Sequence, residues 1–213
     1  MSLKFDDVSS ILEYGLESQN NVVALNKLAT KRIRESNFSD LMGLLDELTF
    51  MAGDVDLRSL AEKESRIEEL RGDLAKERME LLKEAKLMEA LRYANDAYLL
   101  RIDEEIREAQ DSLKSPSFLE ALDAHSKTNV LKKRIYELNT TMAVAKSFSE
   151  QMKLSENNYV SMADRVWSAL NQLIPLLRGR ISMETGKMTI AEARRQLRKH
   201  ADAIEKMIGA TPE

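Results

Sequence analysis

Between Leu131 and Leu177 one position recurs in alternating steps of four and three residues: Leu131, Ile135, Leu138, Met142, Ala145, Ser149, Met152, Glu156, Tyr159, Ala163, Val166, Leu170, Leu173 and Leu177. Only Ser149 and Glu156 interrupt its apolar character. A seven-residue repeat held this long belongs to a helix that buries one narrow seam against another helix, as coiled coils do. The rest of the chain must supply that partner.

Composition agrees. Seven glycines and three prolines in 213 residues leave few turns, so the elements must be few and long. Charged residues at 32% with aromatics at 5% are a composition of long helices. A net charge of −4 provides no global basic field for nucleic acid, which is not an expected partner. The absence of cysteine excludes disulfides, thiolate metal sites and thiol redox chemistry, and suits a cytoplasmic protein. No run of about 18 apolar residues is present, so no transmembrane segment is expected. No secretory signal is expected either, because the first residues lack a basic region followed by an apolar one.

In chain order, the periodicity predicts a first helix over 8–35, starting near Asp7 or Ser9 and showing Ile11, Tyr14, Val22, Leu25 and Leu28 to a core. Gly15 is a weak point within it, either a small residue that permits close packing or a tolerated glycine. A short helix follows over 40–51, with Leu41, Leu44, Leu45 and Leu48 inward. A long helix over 57–114 repeats Leu60, Ile67, Leu74, Leu81, Met88, Asn95, Ile102 and Ala109 every seven residues, a rod of roughly 85 Å. Ser115-Pro116 ends it. Ser117 and Glu120 resemble a capping box that restarts a helix over 117–178, kinked near Pro175. A terminal amphipathic helix over 190–208 carries Ile190, Leu197, Ile204 and Ile208.

The expected fold is therefore all-α and a single elongated domain. It is a long antiparallel, coiled-coil-like helical hairpin with the shorter N- and C-terminal helices bundled at its open end. Folding about Ser115-Pro116 pairs residues whose numbers sum to about 231. Asn95 then faces Tyr136, and Glu156 reaches Arg78 or Arg71, since a buried carboxylate without a partner is expensive. The alternative is a hydrated Glu156 on the flank of the seam. Asn95, Glu156, Arg71 and Arg78 are the candidate buried polar seam. Ser155, Glu156, Asn157 and Asn158 are the candidate interaction surface, because the apolar repeat fails there and the asparagines can both donate and accept.

The stretch Arg134 to Ile181 resembles the signature region of the TelA-like toxic anion (tellurite) resistance family of bacteria. The resemblance lies in an arginine-headed helix, the amide pair Asn157-Asn158 and the step Ile174-Pro175-Leu176. Upstream, Leu81 to Ile106 is similar to a family stretch with an asparagine at Asn95 and a tyrosine at Tyr98. Ile11 to Gln19 is similar to its tyrosine-glycine motif. The resemblance covers about Ser9 to Ile181 and departs from the family at Leu177, where a tryptophan is usual, and in the polar pattern around Ser147 to Gln151, where the family usually has a basic residue before the amide pair. It implies a helical adaptor or scaffold of a bacterial stress response, acting through protein partners and linked to resistance against toxic anions.

The residues themselves offer little catalytic chemistry, so no enzyme activity, catalytic residue or cofactor is expected. His125 and His200 lack a second ligand at metal spacing, and no metal site is expected. Asp103, Glu104, Glu105, Glu108 and Asp111 form a charge run expected on a solvated face. Lys132, Lys133 and Arg134 form a short basic patch, as do Arg194, Arg195, Arg198 and Lys199. Two function classes follow: the non-enzymatic adaptor, for which self-association is also open, and a peripheral membrane or envelope-associated module that binds through its terminal amphipathic helix.

Overall fold

The computed structural model describes residues 5, 7–53, 60–119, 123–184 and 186. Every element among the described residues is helical: α1 (Val8–Glu13), α2 (Leu16–Glu35), α3 (Ser39–Gly53), α4 (Leu60–Ser112), α5 (Pro116–Leu119), α6 (Ala124–Ser168), a π-helical turn (Ala169–Leu173) and α7 (Ile174–Glu184). The all-α class and the long paired helices are as expected. The predicted helix over 190–208 lies outside the described residues. Contacts group the rest into two compact units.

The first unit joins the described residues up to Ser36 to Lys86–Glu156, and so holds α1, α2, the second part of α4, α5 and most of α6. Ile11, Ala109, Phe118 and Leu131 form one buried cluster, and Val22, Ile102, Ile106, Leu138 and Ala145 another. Each Ile, Leu, Val or Phe among them contributes roughly 1.5–3 kcal/mol on burial. These clusters correct the expected arrangement. The helices α1 and α2 pack on the part of the hairpin that carries its closed turn, because Ile11 and Val22 find their apolar complement on α4 and α6 there and are fully buried, whereas α3 packs against the π-turn and α7 at the open end, as expected.

The first helix is also two. Asp7 caps α1 through Ser10, its carboxylate accepting from the Ser10 amide at 2.7 Å. The chain then turns at Gly15, whose φ of 72° places it in the left-handed region, and restarts as α2. The left-handed φ strains any other residue there, and a Cβ, 2.8 Å from Glu105 Oε2 and 2.9 Å from Leu138 Cδ2, would also have to displace the ends of those two side chains.

The turn of the hairpin is longer than a break at Ser115-Pro116 predicts. Proline opens the short α5, and α6 begins only at Ala124, so the expected helix over 117–178 starts later. Glu120, the second half of the supposed capping box, lies outside the described residues. The longer turn shifts the register: Asn95 meets Ala145 and Ser149, not Tyr136.

The second unit combines 37–85 with the described residues from Asn157 onward. Leu41 and Leu48 of α3, Ile67, Leu70 and Leu74 of α4, and Ala163, Val166, Ile174 and Leu177 form its buried faces. Arg66 grips Glu47 through two hydrogen bonds of 2.6 and 2.8 Å, Arg178 pairs with Glu68, and Arg180 donates to the Ala52 carbonyl at the end of α3 at 2.6 Å. Pro175 does not end the helix, and its disturbance takes the form of a π-turn. The Ile174 amide bonds five residues back to Ala169, which widens the coil where the proline ring would otherwise meet the carbonyl of Asn171.

Candidate functional site: a buried polar core and an exposed amide pair

Two polar arrangements stand out in the first unit. The first surrounds the break at Gly15. Opening the helix there frees the Tyr14 carbonyl, and Arg134 of α6, only 3% exposed, donates to it from Nε at 2.6 Å. The same guanidinium donates from Nη1 to Gln19 Oε1 and Glu137 Oε2, both at 2.9 Å. Gln19 in turn donates to Thr141 at 2.9 Å. On the α4 side, the Tyr14 hydroxyl donates to the Glu105 carbonyl at 3.1 Å and to the Glu108 carboxylate at 2.8 Å, and the buried Ser18 donates to Glu105 Oε1 at 2.7 Å. Burial, and then the Glu108 carboxylate, push the Tyr14 hydroxyl well above the ordinary phenol range. The arrangement ties three helices together at one bend.

Two expectations change here. Glu105 does not lie on a solvated face: its side chain is 13% exposed and bonded to α2. Arg134 does not belong to a surface basic patch. Both roles had a signal in the spacing, since Arg134 is three residues after Leu131 and four before Leu138 and therefore shares their buried face. Ser18 and Asn26 likewise fall on the stripe of Val22 and Ala29, and both are buried.

The second arrangement crosses between α4 and α6. Asn95, fully buried, donates to the Ala145 carbonyl and to Ser149 Oγ, both at 2.9 Å, and Ser149 donates to Asp96 at 2.5 Å. Arg92 stands 3.8 Å from Asp96 and 3.4 Å from Glu156. Its guanidinium also lies 4.7 Å from the centre of the Tyr93 ring. Burial works to lower the Arg92 pKa, but Tyr93 and the Glu156 charge outweigh it and the net shift is upward. The result is an unbroken polar ladder through both interruptions of the seam, Ser149 and Glu156.

Glu156 thus has an arginine partner, but it is Arg92, because the longer hairpin turn slides α6 along α4. Arg71 pairs with Glu68 of its own helix at 3.6 Å and is exposed, and Arg78 is half-buried with Nε unpartnered. Both arginines fall in the second unit. In the candidate surface, Ser155 and Glu156 are half-buried, whereas Asn157 and Asn158 are exposed. His125 is exposed and lies 3.3 Å from Asn129, and His200 is outside the described residues. Among the described residues no cluster of His, Asp or Glu has the geometry to hold a metal ion, and no helix is long and apolar enough to cross a membrane.

No family model, curated protein or solved structure matches the chain.

Proposed function

We propose that this chain is a non-enzymatic helical adaptor of a bacterial stress response, of the toxic-anion resistance kind that its sequence resembles. One observation carries the reading. Asn157 and Asn158 present four amide donor and acceptor groups to solvent, immediately after a stretch of α6 that the Glu156–Arg92 pair ties to α4. A rigid helix bearing an exposed, uncharged hydrogen-bonding pair is suited to recognising another protein. The stretches behind the resemblance support the same reading: Tyr14, Gly15, Asn95 and Arg134 are all spent on bracing helices against one another. Without cysteine the chain has no thiol with which to reduce or trap tellurite, so its contribution runs through partners.

Affinity capture from the native host, paired with tellurite challenge of a deletion strain, tests this. Asn157→Ala with Asn158→Ala is expected to melt like the wild type while losing both the captured partner and the rescue of growth. Retention of both by the double variant would remove the proposed role of the pair.

A further inference from the structure

Beside α2, in the first unit, an open groove of about 630 Å³ runs between this helix and α6. Its two walls differ in character. On α2, Lys27, Lys31 and Arg34 follow one another at one-turn spacing along the rim. Val144 and Phe148 of α6 form the apolar wall, and Val23 begins the α2 row that Lys27 continues. Between the walls lies Asn26, 6% exposed, whose Oδ1 is buried without a hydrogen-bond partner. The cations are a local feature, since the chain as a whole carries −4. The sole acidic group on the lining, Glu35, stands 3.7 Å from Lys31 in an exposed pair of little strength.

We propose that this groove receives an acidic amphipathic helix of a partner protein, its apolar side on Val23, Val144 and Phe148 and its carboxylates on Lys27, Lys31 and Arg34. The inference rests on the adaptor reading and assigns it a second contact surface. From Val23 to Arg34 the rim measures roughly 17 Å, or about three helical turns. A helix laid in a groove between two helices buries one apolar stripe and leaves its flank facing the rim.

Other occupants fit less well. A bilayer is too flat to enter a groove, and nucleic acid finds one aromatic ring, Phe148, where stacking requires several. A second copy in a closed dimer must present the same patch on both sides, and a groove does not fill a groove. The chain's own basic run Arg194, Arg195, Arg198 and Lys199 has the wrong charge for this rim.

The test uses the full chain and a stapled synthetic helix of about 15 residues, with leucines along one face and glutamates along the flank. A counter-probe carries lysine for each glutamate. The acidic probe is expected to bind at least tenfold more tightly than the counter-probe and to shift the amide signals of 23–34 and 144–148. Lys27→Glu, Lys31→Glu and Arg34→Glu together, with unchanged helicity and melting, should reverse the preference, so that the lysine probe now binds better.

Unchanged preference in the triple variant, or amide shifts confined to other residues, overturns the assignment. So does displacement of the acidic probe by phosphatidylglycerol vesicles, or conversion of a dimer to a monomer by the triple variant. Host capture separates the two readings: partners still bound by the triple variant sink the groove and leave the adaptor, whereas an empty wild-type capture sinks the adaptor while the probe measurement stands by itself.

Discussion

Arg134 donates from Nε to the main-chain carbonyl of Tyr14 at 2.6 Å, joining α6 to the point where the N-terminal helix breaks. A carbonyl released by a helix end is costly to bury unless something answers it, and here the answer is a charged donor with almost no exposure of its own. Removing that donor strands the Tyr14 carbonyl and Gln19 Oε1 together. Arg134→Ala is expected to destabilise the first unit by about 3 kcal/mol. Arg134→Lys should recover less than half of this, because one ammonium cannot reproduce a planar fork reaching Tyr14, Gln19 and Glu137. Urea titrations followed through the amide signals of α1 and α2 check both values. A lysine variant as stable as the wild type would show that charge alone suffices.

Gly15 makes the same bend possible from the backbone side. Alanine there must adopt a φ of 72° and place its methyl group within 3 Å of Glu105 and Leu138. The expected cost of Gly15→Ala is about 1–3 kcal/mol. Gly72, on exposed α4 with open space around its Cβ position, is the control. Gly72→Ala should stabilise by up to about 1 kcal/mol. Equal effects at the two sites, read from thermal melts, would contradict the role given to the bend.

The Tyr14 hydroxyl makes this region sensitive to alkali. Its folded pKa is raised, first by burial and then by Glu108, so the folded state holds this proton more tightly than the unfolded chain does. The contribution is fully present below about pH 10, where an unfolded tyrosine begins to ionise. It is lost as pH rises further toward the folded value. Tyr14→Phe should therefore flatten the stability curve above about pH 10 and cost about 1 kcal/mol at neutral pH through the two lost hydrogen bonds. Denaturant midpoints at several alkaline pH values, compared between the two chains, decide this; parallel curves would rule it out.

The paired long helices were legible because apolar spacing is a local property: Leu131, Leu138, Ala145 and Met152 are buried as the repeat requires. Register was not, because it depends on how many residues the turn consumes, and α5 together with the start of α6 at Ala124 takes more than a break at Pro116 does. Asn95 and Glu156 were identifiable as polar residues in apolar seams, while their partners Ser149, Asp96 and Arg92 followed only from that register. Gly15 was ambiguous for a related reason. Whether a glycine inside a helical pattern is tolerated or required depends on what approaches it, and Glu105 and Leu138 are distant in sequence. Arg134 was hidden by company, since two neighbouring lysines made a buried residue look like one member of a solvated patch.

Asn95 separates stability from pairing specificity. Its amide donates to Ala145 and Ser149, yet its Oδ1 is buried without a partner, so the side chain carries a desolvation cost alongside its two bonds. Neither acceptor depends on it alone. Ser149 still bonds Asp96, and the Ala145 carbonyl lies within α6, where main-chain amides serve such groups. Asn95→Leu should thus stay within about 1 kcal/mol of the wild type or exceed it, whereas Asn95→Ala, which leaves a void in a packed seam, should lose about 2 kcal/mol. Urea unfolding of the two variants measures the difference. A loss above about 2 kcal/mol in the leucine variant would mean that the amide is a net source of stability. The expected pattern instead assigns Asn95 to register, because a leucine tolerates neighbouring alignments of α4 on α6 while the asparagine amide finds its two acceptors opposite Ala145 and Ser149.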